Sequence, residues 1–196
     1  MHRSLRTLAI LAFALVLSAC GAMRAQNPGG AYTPVNAVAV GEAPRVMLAG
    51  ADVVAYFTES RYVQGQAGIR SEYEGVTFQF ASAANKALFD ASPAKYLPQY
   101  GGYCANGLVY GIPWGGDADR FRIIDGKLYI FGGQGSLDAF LLDPKRNLAL
   151  AEKYWNEEVK GSNSFWQRTK RLVFRVPHYK NGDELAREVA AARGKS

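Results

Sequence analysis

The sequence predicts an α+β fold: a small antiparallel sheet built from hairpins with packed short helices, followed by a C-terminal helical extension. Three observations predict it. Glu74-Gly75 separates two strand-like runs, and the second alternates Val76, Phe78 and Phe80 with Thr77 and Gln79, so one face is expected to be apolar and the other polar. Asp125-Gly126 separates FRII from KLYIF, and a two-residue Asp-Gly loop supplies the positive backbone angles of a tight antiparallel turn. Beyond residue 135, SLDAFLLDPKRNLALAEKYWNEEV reads as helix, with Asp143 as a cap and Pro144 at the first helical position.

The elements follow in order. DVVAYF, residues 52–57, reads as a first strand, and EYEGVTFQFAS as the hairpin. Ser82 is placed to cap a helix over AANKALFDA, where Ala84, Ala87, Leu88 and Ala91 recur at helical spacing and are expected to cover the hairpin's apolar face. Ser92-Pro93 restarts a short helical turn. Asn106-Gly107 reads as a turn, and Asp117 and Asp119 in GIPWGGDADRF as part of a polar turn rather than a cation loop. FWQRTKRLVFRVPHY is ambiguous, with LVFRV strand-like, and the last helix spans 183–193, opened by Asp183. No internal repeat or low-complexity tract is present after the leader.

The chain has 196 residues, 48% hydrophobic and 20% charged, which suits one domain with a real core and is too apolar for a disordered chain. At the N-terminus, Arg3 and Arg6 precede the apolar run LAILAFALVL, too short to span a membrane and suited to a signal peptide. LSAC follows and resembles the bacterial lipobox, which implies lipidation of Cys20 as the first mature residue; the alternative is an ordinary signal peptide cut after Ala22 or Ala25. Acyl chains hold a protein durably on a bilayer at about 0.8 kcal/mol per buried methylene. The expected location is therefore a periplasm-facing lipoprotein, the outer membrane slightly favoured by Gly21 and Ala22, or otherwise the cell exterior. The expected domains are a signal peptide over 1–19, a flexible tether over 20–45, a folded domain over 46–133 and the helical extension over 134–196. Loss of Arg3 and Arg6 lowers the net charge from +6 to +4. Much of the remainder lies in Arg168, Lys170, Arg171, Arg175 and Lys180, which suits an anionic lipid, another protein or simply a solvated face. No nucleic-acid module is visible, so no nucleic-acid partner is expected.

Across DVVAYF … YEGVTFQFASAANKALFDASPAKYLPQYGGYCANG … DGKLYI, from about Ala49 to Phe131, the sequence resembles the YHS domain family in its exported bacterial form. Asp52, Tyr73, Gly75, Phe78, Phe80, Ser82, Phe89, Pro93 and Tyr96 keep the family's skeleton. The metal-binding relatives carry cysteines at positions that fall here on Ala55, Ala81 and Asn85. Alanine and an amide cannot replace thiolate as ligands, so a tight metal centre is not expected. Tyr73, Phe78, Phe80, Leu88, Phe89 and Tyr96 are expected to pack around the vacated site.

With Cys20 lipidated, Cys104 is left unpaired. By resemblance to the exported branch, where YGGYCA recurs and some relatives carry selenocysteine at this position, Cys104 is implied to be chemically active. The residues themselves leave alternatives open: a free thiol is only about 3% thiolate at neutral pH unless a cation, helix N-terminus or metal is near. Lys95 is the nearest cation N-terminal to it, and no CxxC exists. Gly101 and Gly102 permit close backbone approach, and Tyr100, Tyr103, Tyr110 and Trp114 are candidates to wall a ligand cleft with Cys104. The bland alternative is that these aromatics are core and the thiol inert. No catalytic triad, phosphate loop or nucleotide fingerprint is present, and no nucleotide cofactor is expected.

Three readings result. The leading one is a non-enzymatic, lipid-anchored accessory protein in metal or thiol-redox homeostasis, with Cys104 making a labile contact to a soft metal such as copper, or a reversible bond to a partner thiol. The second is a redox enzyme with Cys104 as nucleophile. The third is an envelope scaffold or protein-binding module with no chemistry.

Overall fold

The computed structural model describes residues 35–194. The predicted leader, lipobox and the tether up to residue 34 lie outside the described residues. The remainder of the expected tether is folded: β1 (Ala37–Val40) and β2 (Ala43–Met47) form an antiparallel hairpin, with Ala37 opposite Met47 and Val38 opposite Val46. The small and β-branched residues that read as a linker are strand residues here, because Ala37, Val46 and Met47 are buried against the rest of the sheet.

β2 lies parallel beside β4 (Val76–Phe80), joined at Val46 and Thr77, and β4 pairs antiparallel with β3 (Gln66–Tyr73). The sheet order is β1-β2-β4-β3, antiparallel except at the β2-β4 seam. A separate two-stranded sheet holds β5 (Asp117–Ile124) and β6 (Lys127–Phe131). Both two-residue turns adopt left-handed backbone, Glu74-Gly75 with φ of 50° and 72° and Asp125-Gly126 with the same values. That geometry matches the twist of the flanking strands. The polar face expected of β4 is absent, since Thr77 and Gln79 are buried too. Thr77 Oγ1 donates to Glu72 Oε1 at 2.6 Å, and the Gln79 side chain lies where a side chain on Gly50 would stand.

DVVAYF forms helix α1 (Ala55–Thr58), not a strand. The cause is Asp52, whose Oδ1 accepts from the amides of Val54 at 2.9 Å and Ala55 at 3.3 Å and so turns the chain at once. Helix α2 (Ala83–Ala91) starts where expected, with Ser82 Oγ accepting from the Asn85 amide at 3.1 Å. Its inward face differs from the expectation. Asn85 and Phe89 are buried, whereas Ala84, Ala87, Leu88 and Ala91 are exposed, so Leu88 does not join the packing around the vacated site. Phe89 sets the rotation: its ring sits 4.7 Å from Phe78, 5.1 Å from Phe80 and 6.1 Å from Tyr73, far more apolar contact than three alanines provide.

Two short helices follow, α3 (Pro93–Tyr96) and α4 (Ala105–Leu108). Asn106-Gly107 lies inside α4 and is buried rather than forming an open turn. After β6 come α5 (Gln134–Leu141), α6 (Pro144–Tyr154, capped by Asp143), a π-helical turn over Trp155–Val159, α7 (Ser164–Val173) and α8 (Gly182–Arg193). The LVFRV stretch belongs to α7 and its exit. Asn163 Oδ1, accepting from the amides of Phe165 and Trp166, nucleates helix where β-branched residues suggested strand. α8 begins one residue before the expected start, with a reciprocal cap between Asn181 and Glu184.

The buried residues form two adjoining clusters. One contains Met47, Tyr56, Phe78, Phe80, Phe89, Leu128 and Ile130; the other contains Tyr103, Leu108, Tyr129, Phe131, Phe140, Tyr154 and Val176. β6 serves both, because alternate side chains of a strand point to opposite faces. The helices after residue 134 therefore close the second core, and a boundary at 133/134 would cut through it.

Asp52 ties the first cluster together. It is fully buried, and besides Val54 and Ala55 its carboxylate accepts from the Ala81 amide and Asn85 Nδ2, each at 2.8 Å. Asp52→Ala strands four buried donors, so urea unfolding is expected to show a loss of at least about 3 kcal/mol, with Asn85→Ala costing about 1–2. Equal stability of the wild type and Asp52→Ala would remove Asp52 from this role.

Candidate functional site

The YGGYC segment makes a sharp turn built from three consecutive left-handed residues, Tyr100 (φ 55°), Gly101 (φ 62°) and Gly102 (φ 78°). Gly102 is required on steric grounds as well: a Cβ there would stand 3.1 Å from Leu48 Cδ2 and 3.3 Å from Met47 Sδ. Asn36 fixes the turn from β1's side, its amide donating to Gly101 O at 2.8 Å and its Nδ2 to Gly102 O and Gly116 O at 3.1 Å. The turn separates residues that are neighbours in sequence, and the expected single site divides.

On one side, Tyr100 and Gly101 border an open cleft of about 630 Å³. Met47, Tyr73 and Trp155 are among its apolar lining, with Arg45 and Lys160 as cations and Glu74 as the carboxylate. Tyr100 is held by Tyr129 and Trp155, with ring centroids at 5.7 and 5.9 Å. Arg45 is itself buried, and its Nη1 donates to Gly75 O at 3.1 Å. Size and lining match a site for a small, largely apolar molecule with one anionic group. Arg45 lay in the expected tether and Trp155 in a helix read only as packing, so the sequence carried no signal that they meet Tyr100.

On the other side, Cys104 is 3% exposed. Burial pushes its thiol pKa up; the amides of Gly107, Gly132 and Asn106 and the Ser136 side chain favour the thiolate but do not outweigh desolvation. At neutral pH the group is a neutral thiol. Tyr103 is fully buried, with its hydroxyl donating to Val35 O at 3.1 Å. Tyr110 is buried against Tyr179 and His178, at 5.3 and 5.8 Å. Trp114 is exposed and borders Gly107 rather than the cleft. Of the expected ligand residues, the structure brings only Tyr100 and Gly101 to the cleft.

The third location is the set of positions, Ala55, Ala81 and Asn85, that the sequence resemblance assigns to cysteine. Ala55, Ala81 and Asn85 do converge, and what they converge on is Asp52: two backbone amides and one side-chain amide all donate to its carboxylate. Ala55 and Ala81 carry no ligand side chain and Asn85 turns its Nδ2 to Asp52, so these residues do not supply the thiolates of a soft-metal site. Among the described residues no group of three or more His, Cys, Asp or Glu is placed to hold a metal ion.

A YHS domain is detected at residues 54–100. The match runs from the start of α1 to Tyr100 and therefore includes Ala55, Ala81, Asn85 and part of the cleft wall, whereas Cys104 lies beyond it. No curated protein and no solved structure matches the chain.

Two outcomes are expected from this geometry. In the native protein a thiol-specific disulfide reagent is expected to modify Cys104 on the order of a hundredfold more slowly than in the unfolded chain; equal rates would show the sulfur to be open. Burial also raises the pKa of Tyr56, Tyr100 and Tyr103 and pushes Tyr110 up to about 12. Because these folded values lie above the unfolded ones, their contribution is intact at neutral pH and is lost as pH rises past the ordinary tyrosine value of about 10. Thermal midpoints are expected to hold from pH 6 to 8, an interval chosen well below about 10, and to fall steeply above it.

Proposed function

We propose that this chain is an extracytoplasmic, lipid-anchored YHS-domain protein that acts by binding, with the cleft beside Tyr100 as its ligand site and Cys104 as a structural thiol. The observation that carries the reading is the division made by the YGG turn, which puts Tyr100 on an open cleft and the sulfur on the buried side. The LSAC motif after an apolar leader supports the anchor and the extracytoplasmic location. The ligand class follows from the lining: an apolar body against Met47, Tyr73 and Trp155, with a carboxylate or similar anion toward Arg45 and Lys160. This belongs to the non-enzymatic readings, and it places no metal or nucleotide cofactor in the cleft.

A second reading keeps a thiol-redox or soft-metal role for Cys104, and one observation favours it: four hydrogen-bond donors surround the sulfur. If water reached the sulfur while the amides of Asn106 and Gly107 stayed in place, desolvation would fall and the thiolate would be favoured. Titration separates the two readings. With an alkyl carboxylate as probe, Trp155 fluorescence is expected to change saturably, about tenfold more weakly for the matching alcohol or for Lys160→Ala, and unchanged for Cys104→Ser. No saturable change with any chain length overturns the cleft reading. Anaerobic copper uptake that Cys104→Ser abolishes would favour the second.

A further inference from the structure

Helix α7 is amphipathic in the opposite sense to a normal surface helix. Its inward face is polar: Ser164 and Gln167 are buried, Gln167 Nε2 donates to Gly111 O at 2.9 Å, Arg168 Nε donates to Pro113 O at 2.7 Å, and Arg171 pairs with Glu158. Its outward face carries Phe165, Trp166, Leu172 and Val173, and Phe174 follows directly. Trp166 and Phe174 are 66% and 69% exposed. Five large apolar side chains over ten consecutive positions of one exposed face mark a surface that is covered in use.

Two features specify the cover. From Lys160 to Gly182 the chain has six Lys and Arg and no Asp or Glu; Glu158 pairs with Lys170 and Arg171 and Glu188 with Lys180, which leaves a net positive charge around the apolar patch. Second, the polypeptide arriving from Cys20 enters the folded body near the inward side of α7. Val35 accepts from the Tyr103 hydroxyl at 3.1 Å, and the Arg168 guanidinium of α7 lies 5.8 Å from the centre of the Tyr103 ring. Cys20 is fifteen residues before Val35, a reach of at most about 50 Å. Tryptophan, phenylalanine and leucine on one face with lysine and arginine beside them is the composition of helices that lie in a bilayer interface. None of the described helices is long and apolar enough to cross a membrane.

We propose that α7 and Phe174 form a membrane-docking face, on which the domain lies against an anionic bilayer with Phe165, Trp166, Leu172, Val173 and Phe174 in the interface. The inference rests on the anchored reading for which membrane is met; the surface itself does not need the acyl group. Lipid anchor and docking face are then two weak attachments that act together, and the tether keeps the face near the membrane.

The test uses the chain of residues 21–196, which contains every described element and lacks the lipidation site, in flotation with vesicles of phosphatidylethanolamine and phosphatidylglycerol. Binding is expected, falling about tenfold or more for Trp166→Asp/Phe174→Asp and for neutral phosphatidylcholine vesicles. Both positions are exposed, so thermal midpoints of the double variant and the parent are expected to agree. A chain that stays unbound with all vesicles overturns the proposal. So does self-association in sedimentation that the double variant abolishes without any vesicle binding, because the cover would then be a second copy. Acyl mass on Cys20 of the full-length protein tests the anchor separately, so failure of either reading can be told from failure of the other.

Discussion

A fully buried carboxylate with four donors aimed at it governs the first half of this structure. Asp52 turns DVVAYF into helix α1, holds the end of β4 through Ala81 and fixes the rotation of α2 through Asn85. A buried carboxylate is tolerated only when its hydrogen-bond capacity is filled, so these elements are placed relative to one another by the donors they turn to Asp52. Ala55, Ala81 and Asn85 supply three of its four donors; two of these are backbone amides that any residue would offer, and the Asn85 side chain is the contribution that depends on residue type.

The second organising element is β6. Leu128 and Ile130 belong to one cluster and Tyr129 and Phe131 to the other, so the YHS region and the later helices meet along a single strand. The YGG turn packs beside this strand, held by Asn36 and excluded from any bulkier conformation by Leu48 and Met47. Its three left-handed residues reverse the chain within one segment. That reversal directs Tyr100 toward Trp155 and the cleft while the next residues, Tyr103 and Cys104, enter the interior.

Features that depend on local chemistry were legible in the sequence. Both two-residue turns, the Ser82 and Asp143 caps and Pro144 at a helix start are each decided within four residues, and each is found where the pattern placed it. What long-range contacts decide was not legible. The strand-like VVAYF became helix because of a side chain just upstream, the linker-like AVAVGEAPRVM became a hairpin because β4 offered an edge, and the apolar stripe of α2 yielded to Phe89. For the site, adjacency in sequence misled. Tyr100 and Cys104 are four residues apart and on opposite sides of a turn, and the cleft's cations come from positions 45 and 160. No periodicity links those segments.

A cysteine in such a place has a structural explanation. Cys104 immediately precedes α4, and the amides of Asn106 and Gly107 at the start of that helix have no carbonyl within it to receive them. Gly132 brings a third amide from the far side, so close that a side chain on it would stand 3.5 Å from the sulfur. A neutral thiol is a weak acceptor, yet it fills the space at little desolvation cost, which a carboxylate at this position would not. Alanine would leave the amides without an acceptor, and a larger residue would collide with Gly132. The same donors that suggest a reactive thiolate are thus accounted for by the closure of a helix end inside the core, while the open cleft lies on the other side of the turn, beside Tyr100 and Trp155.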